Sequence, residues 1–565
     1  MTEPVDTDRN PRRATRRTSN QATTNHRGKH MIRTRTGRGR IALALTLALT
    51  VSACGGTDDD DASSSSDGPG TTVSDIDTSA VLRMPLPTPQ LLDPVRAVNA
   101  CDVPIFSTVY DTLVRVDPDG SLVPGIAEKW ESPDDSTFVM TLREGVKFSD
   151  GGTLDAEAVK TSIERGQTHP ESVLKTALAP ISEVVTPDPL TVEIHLSEPK
   201  VGLMPALFQG RAGMIPSPAA VESAGDTYGT TADAAVGAGP YKMTKFESKG
   251  AFAAEAWDGY WDAENRKLAG VDFTNTQGAT AGYGPFITRL AQGEFDALSM
   301  KETDIEVARA QPDLEVLTGP SELMMHLMIN YSQAPFDKLE VRQALQHAVD
   351  RSALNEAIAL GLGTPADGPL PPTSWAYDDA VEGMYPYDVD KAKDLLADAG
   401  FPDGIEFEAV TPDTSLYVQL ATAVQDMLKK ANINMTIRTV PGQEINTELY
   451  VKKSAPAGVS AWSQSSDPGE FFAVKYGTGG PNNAAGTAID GLDDLLDQGA
   501  ATTDQDARAE AYGEAQRLIM EQAVEVPLYY APAVTVHSKK VQGIAKAYST
   551  CTNANFLNPP ISIAK

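Results

Sequence analysis

Strands and helices alternate along this chain, and the alternation predicts an α/β fold. Three observations carry that reading. Some segments repeat apolar residues with a period of two and others with a period near 3.6. Residues 405–439 read as strand, helix, strand at the spacing of a βαβ unit. The 565 residues exceed what one hydrophobic core organises, so two or three domains are expected. A hydrophobic content of 41% is ordinary for a globular protein.

In chain order, folded sequence is expected from about Ser79. Phe138, Met140 and Leu142 alternate with Val139, Thr141 and Arg143, which predicts a strand. Glu144-Gly145 turns the chain, and Ser149-Asp150-Gly151-Gly152 makes a loop. Asp155 then has the place and chemistry of an N-cap for a helix over 156–165. Residues 192–196 read as a strand. Val341, Ala344, Leu345 and Ala348 fall on one face of a helix, and 392–399 form another that Gly400 closes. The βαβ unit comprises a strand at 405–410, a helix at 417–430 and a strand through Met435, Ile437 and Thr439. A helix over 504–521 precedes a short apolar segment, 524–530.

The amino end is different in kind. Residues 41–53 are apolar but too short to span a bilayer, and Arg33, Arg35, Arg38 and Arg40 precede them. With small residues at Ser52 and Ala53, this is the pattern of a secretory signal, and Met31 is the expected start. A twin-arginine signal is the weaker reading, because no apolar residue follows Arg12-Arg13 or Arg16-Arg17 where one is needed. Cys54 directly after the small residues resembles a bacterial lipobox. That resemblance implies cleavage before Cys54, lipidation of its thiol and an extracytoplasmic protein held at the cell membrane. Residues 54–78, rich in Asp, Ser, Gly and Thr, read as a flexible tether.

Residues 1–53 carry 11 Lys/Arg and 3 Asp/Glu, leaving 36 basic against 74 acidic side chains and a net charge of −38. Such a surface repels nucleic acid and anionic headgroups. Cys101 and Cys551 remain after Cys54, either as a disulfide or as two buried thiols.

Catalytic motifs are absent from the sequence. There is no Gly-x-Ser-x-Gly and no His-Glu-x-x-His, and His169, His195, His326, His347 and His537 are scattered rather than grouped as metal ligands. Gly237-Ala238-Gly239 leads into Pro240, so no helix N-terminus is offered to a phosphate. The expectation is a non-enzyme with no metal and no cofactor.

Three ordered segments decide the family. The first runs from Leu92-Asp93-Pro94 through Val109-Tyr110-Asp111-Thr112-Leu113 and Leu122-Val123-Pro124-Gly125 to Arg143-Glu144-Gly145-Val146-Lys147-Phe148. The second is Val236-Gly237-Ala238-Gly239-Pro240-Tyr241 with Gly259-Tyr260-Trp261. The third is Ile329-Asn330, Ala334-Pro335-Phe336, Val341-Arg342-Gln343-Ala344 and Ala348-Val349-Asp350-Arg351. Together they resemble the extracellular solute-binding protein family 5, the peptide, opine and nickel receptors of bacterial ABC importers.

The resemblance implies a two-lobed periplasmic-binding-protein-like fold (type II, cluster C). Residues 79–118, 237–330 and 525–565 would form the first lobe, 119–236 an extra subdomain of it, and 331–524 the second lobe. With both chain ends in one lobe, a Cys101–Cys551 disulfide is favoured. The implied partners are a permease, its ATPase and a small solute, with oligopeptides ahead of an opine, a sugar or a metal chelate; a ligand-sensing surface lipoprotein is the other class. A monomer is expected.

Within this frame, Trp130, Phe148 and Tyr241 are expected to pack cores. The candidate ligand residues are Trp462, Gln464, Ser465 and Asp467, with Tyr110, Met325, Trp375 and Asn482. Peptide-binding relatives carry an Asp three residues after the Trp, where it holds the peptide's ammonium; Ser465 stands there in this chain. Either Asp467 replaces that carboxylate, or the ligand is not an α-amine peptide, or its charge is met elsewhere.

Overall fold

The structure is a computed structural model, and it describes residues 76–97, 103–117, 120–275, 283–464, 467–544 and 560–565. Cys54, Cys101, Cys551 and Ser465 lie outside the described residues, as do the expected signal and most of the tether.

Three sheets organise the protein. The first has four strands in the order Val81–Leu86, Gly270–Asn275, Phe252–Ala256, Tyr241–Phe246. Its first pair is parallel and the rest antiparallel. Leu82, Met84, Phe252 and Phe273 form its core with Phe106 of the helix Val103–Val109 and Tyr110 just after it. The carboxyl end returns to the same core through Val541, Ile544 and Ile561.

The second sheet is antiparallel, in the order Ala127–Glu131, Thr137–Leu142, Thr191–Leu196, Ile181–Asp188. Burial along Thr137–Leu142 alternates strictly, as the period-two pattern predicts for a strand with one wet face. The helix Ala156–Thr168 covers it with Val159 and Ile163. Asp155 caps that helix through a hydrogen bond from the Ala158 main-chain N–H at 3.0 Å. Phe148 and Tyr241 are buried, and Trp130 packs half-buried on the second core.

The third sheet has seven strands. Six run in the order Ala297–Met300, Glu525–Ser538, Leu314–Ile329, Ala457–Ser463, Ile405–Pro412, Ile433–Val440, and the short strand Thr364–Pro365 also pairs with Glu525–Ser538. Ile405–Pro412 and Ile433–Val440 are parallel and joined by the helix Ser415–Lys430, the βαβ unit predicted. Two strands are long. Leu314–Ile329 has 16 residues and Glu525–Ser538 has 14, and they pair antiparallel. One end of the pair supplies Leu314, Val534 and Val536 to one core. The other supplies Leu327, Ile329, Val526 and Leu528 to another. The segment expected as a short apolar run at 524–530 is thus the first half of a strand that serves two cores.

The motif segments meet in space. The Arg115 guanidinium donates to both Asp111 oxygens at 3.0 and 2.5 Å, to Asp262 Oδ2 at 2.7 Å and to Tyr260 Oη at 2.8 Å. Trp261 Nε1 donates to Asp111 Oδ2 at 3.0 Å, and its ring lies 4.6 Å from the guanidinium carbon. Gly239 donates its N–H to the Val109 carbonyl at 2.8 Å, and a Cβ there would sit 2.5 Å from the Val109 carbonyl carbon. The glycine is needed because the chain passes at backbone contact distance.

Candidate ligand-binding site

The strand Ala457–Ser463 lies antiparallel to Leu314–Ile329 with Trp462 opposite Met324 and Ser463 opposite Leu323. Past its end, Gln464 donates its N–H to the Glu322 carbonyl at 3.2 Å. Its side-chain amide donates to the Pro369 carbonyl, so Gln464 is buried and fixed. The chain resumes at Asp467, the N-cap of the helix Pro468–Lys475, where a proline in the first turn suits the missing N–H.

Asp467 is fully engaged in this position. Oδ1 accepts the Gly469 N–H at 2.8 Å, and Oδ2 accepts Arg508 Nη2 at 2.6 Å. The side chain is 2% exposed. Arg508 also donates to the Gly499 carbonyl at 3.0 Å and lies over the rings of Trp375 and Tyr512. Burial opposes the Arg508 charge, but Asp467 more than compensates and holds its pKa above the ordinary value. Trp375 meets Tyr512 edge-on, with centroids 6.0 Å apart.

Trp462 is half-buried and packs edge-on against Tyr450 at 5.9 Å. On the same side stands a polar cluster that the sequence reading missed. Lys475 Nζ donates to Glu525 Oε2 at 2.6 Å. His326 Nδ1 lies 2.8 Å from the same oxygen and 3.3 Å from Lys475 Nζ, and its Nε2 lies 3.0 Å from Ser460 Oγ. Tyr476 donates its hydroxyl to Glu525 Oε1. Burial alone would raise the Glu525 carboxyl, but Lys475 and His326 outweigh it and hold it down to about 2. Burial lowers both His326 and Lys475. The order Ser460, His326, Glu525 has the sequence of contacts of a nucleophilic relay. However, the three are 7%, 0% and 1% exposed, and Lys475 occupies the carboxylate. The arrangement is a buried brace between strand and helix.

The predicted residues fall into two groups. Trp462, Gln464, Asp467 and Trp375 are brought together around the end of Ala457–Ser463 and the helix that follows. Asn482 is half-buried, donates its N–H to the Val474 carbonyl at 3.0 Å and borders a small cavity with Tyr331, Tyr476 and Glu525. Tyr110 stands elsewhere, and Met325 lies opposite Ala461 but packs into a core; each is 1% exposed. Tyr110 is packed on Phe106 with its hydroxyl donating to the Leu92 carbonyl at 2.8 Å, and Met325 belongs to a strand-and-helix core. The structure thus places these two as packing residues, because a flat aromatic and a flexible thioether suit a core as well as a pocket. The signal for the missed cluster was present: a charged residue, Glu525, and a histidine, His326, each inside an otherwise apolar run.

Cores joined by two through-going strands, with an aromatic strand end beside the crossing, define the class as a two-lobed solute-binding protein. The chain belongs to the bacterial extracellular solute-binding proteins, family 5, whose middle-region model matches residues 121–484. A glutathione-binding protein of Salmonella paratyphi A is 29% identical over 470 residues, covering 80% of this chain and 89% of the relative. The corresponding Escherichia coli protein is 28% identical over 465 residues, with the same coverage. Among solved structures, a Helicobacter pylori periplasmic binding protein in complex with the peptide STSA superposes with a TM-score of 0.72 at 22% identity, covering 87% of this chain and 99% of its own. An Agrobacterium binding protein in complex with agropinic acid has a TM-score of 0.70 at 26% identity, covering 86% and 99%.

Proposed function

We propose that this solute-binding protein captures an oligopeptide or a similar small solute between its lobes and delivers it to an ABC permease. The observation that carries the reading is family membership over residues 121–484, joined to a site in which the strand bearing Trp462 ends against the long strand Leu314–Ile329, with Gln464 fixed just past it. A flat aromatic face with fixed amides beside it suits a peptide backbone and its side chains. Closure of the lobes follows from differential affinity, because a ligand that touches both halves favours the closed form. The protein acts outside the cytoplasm, tethered by residues 54–78 and lipidated at Cys54, as a monomer with Cys101 and Cys551 joined.

The glutathione-binding relatives favour a short peptide. One observation favours a non-peptide solute instead: Asp467 is held by Arg508 and the helix cap, and Ser465 stands where relatives carry the ammonium-binding acid. Native mass spectrometry of the detergent-solubilised full chain, followed by denaturation and identification of the released species, separates the two. A ladder of peptides is the expected result. A single non-peptide mass would replace the peptide reading with an opine, sugar or chelate.

A further inference from the structure

We infer that Glu302 is the carboxylate that receives an ammonium of a bound peptide, with Tyr417 and Tyr529 completing the subsite. The inference rests on the peptide reading above and adds the group that sets its charge preference.

The buried carboxylates single it out. Six are buried among the described residues: Asp93, Asp111, Asp296, Glu302, Asp467 and Glu525. Five of them sit on a cation of the fold. Asp93 meets Arg165 at 2.5 Å, Asp111 meets Arg115 at 2.5 Å and Asp296 meets Arg83 at 2.8 Å. Asp467 meets Arg508 and Glu525 meets Lys475, both at 2.6 Å. Glu302 is 5% exposed, and its carboxylate has no ion pair and no hydrogen bond among the described residues. Burying a charge without a partner is costly, so this carboxylate is set for a cation that the fold does not supply. Asp304, two residues on, is occupied differently: it accepts the Tyr283 main-chain N–H at 2.8 Å.

Strand register places Glu302 where the two long strands pass between cores. The strand Ala297–Met300 ends with Met300 facing Val534. Further along the same edge of Glu525–Ser538, Tyr530 and Tyr529 face Thr364 and Pro365, while Leu314–Ile329 covers the opposite edge. Residues 531–533 lie between these two pairings, and the turn Glu302–Asp304 leaves the first strand at that gap. The turn leads into Ile305, which belongs to the core of Leu314 and Val534. Tyr529 belongs to the other core, and Tyr417, in the first turn of the helix Ser415–Lys430, packs on it. Burial does most to raise the Tyr529 hydroxyl, and the Glu302 charge and then Tyr417 add to it, so the three groups are within electrostatic reach. Neither the Tyr417 nor the Tyr529 hydroxyl has a hydrogen-bond partner among the described residues. A carboxylate from one side of the crossing and two hydroxyls from the other therefore share unused bonding capacity. An ammonium there meets a desolvated carboxylate, hydroxyl oxygens and aromatic rings. It also touches both halves, the condition under which a ligand favours the closed form.

The test uses the full-length detergent-solubilised protein and three tetrapeptide pools of otherwise uncharged residues. One pool has a free amino terminus, one is N-acetylated, and one is N-acetylated with a single lysine. Calorimetric titration of wild type is expected to show one of the two ammonium-bearing pools binding about ten- to a hundredfold more tightly than the neutral pool, the worth of one charge-assisted hydrogen bond. Preference for the free terminus assigns the subsite to the α-ammonium, and preference for lysine assigns it to a side chain. Glu302→Gln is expected to bind all three pools alike at the weaker level. Without ligand, the same variant is expected to unfold at a higher temperature than wild type, because it removes an unpaired buried charge. A lower midpoint or a misfolded Glu302→Gln would mean a structural carboxylate and overturn the inference. Equal binding of all pools by wild type, which needs no variant to read, or retained discrimination in Glu302→Gln overturns the role of Glu302 while leaving peptide binding intact. Failure of all three pools to bind wild type overturns both.

Discussion

Two buried ion clusters hold this protein together, and they are built differently. In the first, Asp111 is gripped by Arg115, Tyr260 and Trp261, with Asp111, Tyr260 and Trp261 drawn from motif segments. In the second, Glu525 is gripped by Lys475, His326 and Tyr476. Arginine stays charged at any pH the protein meets, and its planar fork matches a carboxylate in two bonds. Lysine and histidine are titratable, and burial lowers both. The first cluster is therefore insensitive to pH on its cationic side, and the second is not. A carboxylate can be buried in either way; only the second way ties it to protons.

The largest expected effect breaks the second cluster. Glu525→Gln leaves Lys475 buried without its carboxylate and should cost about 3–5 kcal/mol in denaturant unfolding. The double variant Lys475→Met, Glu525→Gln removes both charges and should recover most of that loss. If the single variant is within about 1 kcal/mol of wild type, the cluster is not a brace. Asp111→Asn should cost somewhat less, about 2–3 kcal/mol, because Arg115 keeps Asp262 at 2.7 Å. Equal losses for Asp111→Asn and Glu525→Gln would erase the distinction between fork and point charge.

The pH dependence sharpens the comparison. The Glu525 carboxyl lies at about 2 in the folded protein against an ordinary 4.5, so the unfolded chain takes up the proton first as pH falls. Its stabilisation is complete above about 4.5 and is lost progressively below it. Unfolding free energies from pH 6 to pH 3 should fall more steeply for wild type than for the Lys475, Glu525 double variant; parallel curves would contradict the assignment. The smallest effect is outside both clusters. Asp155→Ala removes the cap of Ala156–Thr168 and should cost about 1 kcal/mol, read as a shift in denaturation midpoint.

How much of this was legible in the sequence depends on the range over which a residue finds its partner. The Asp155 cap lies three residues from the N–H it accepts, and the strand Thr137–Leu142 announces itself by alternation, so local pattern suffices for both. The βαβ unit is legible for the same reason. Lys475 is different. It ends a short helix and reads as a solvated terminal charge, yet its partner is 50 positions away and is delivered only by the pairing of Glu525–Ser538 with Leu314–Ile329. Tyr110 shows the converse: its chemistry suits a pocket, but Leu92 and Tyr228 claim its hydroxyl within a core. Around Trp462, residue types marked positions that the fold brings together, Gln464, Asp467 and Trp375, while the cluster at Glu525 needed the strand pairing to be seen.

The strand Glu525–Ser538 has a consequence for how the chain comes to be folded at all. It completes two cores at once and lies within residues 525–565. A chain that emerges from a pore amino end first must expose almost its whole length before either core can close. Until then both halves are open-edged and vulnerable to proteases and to one another. The strand acts as a zip fastener whose slider arrives after both rows of teeth.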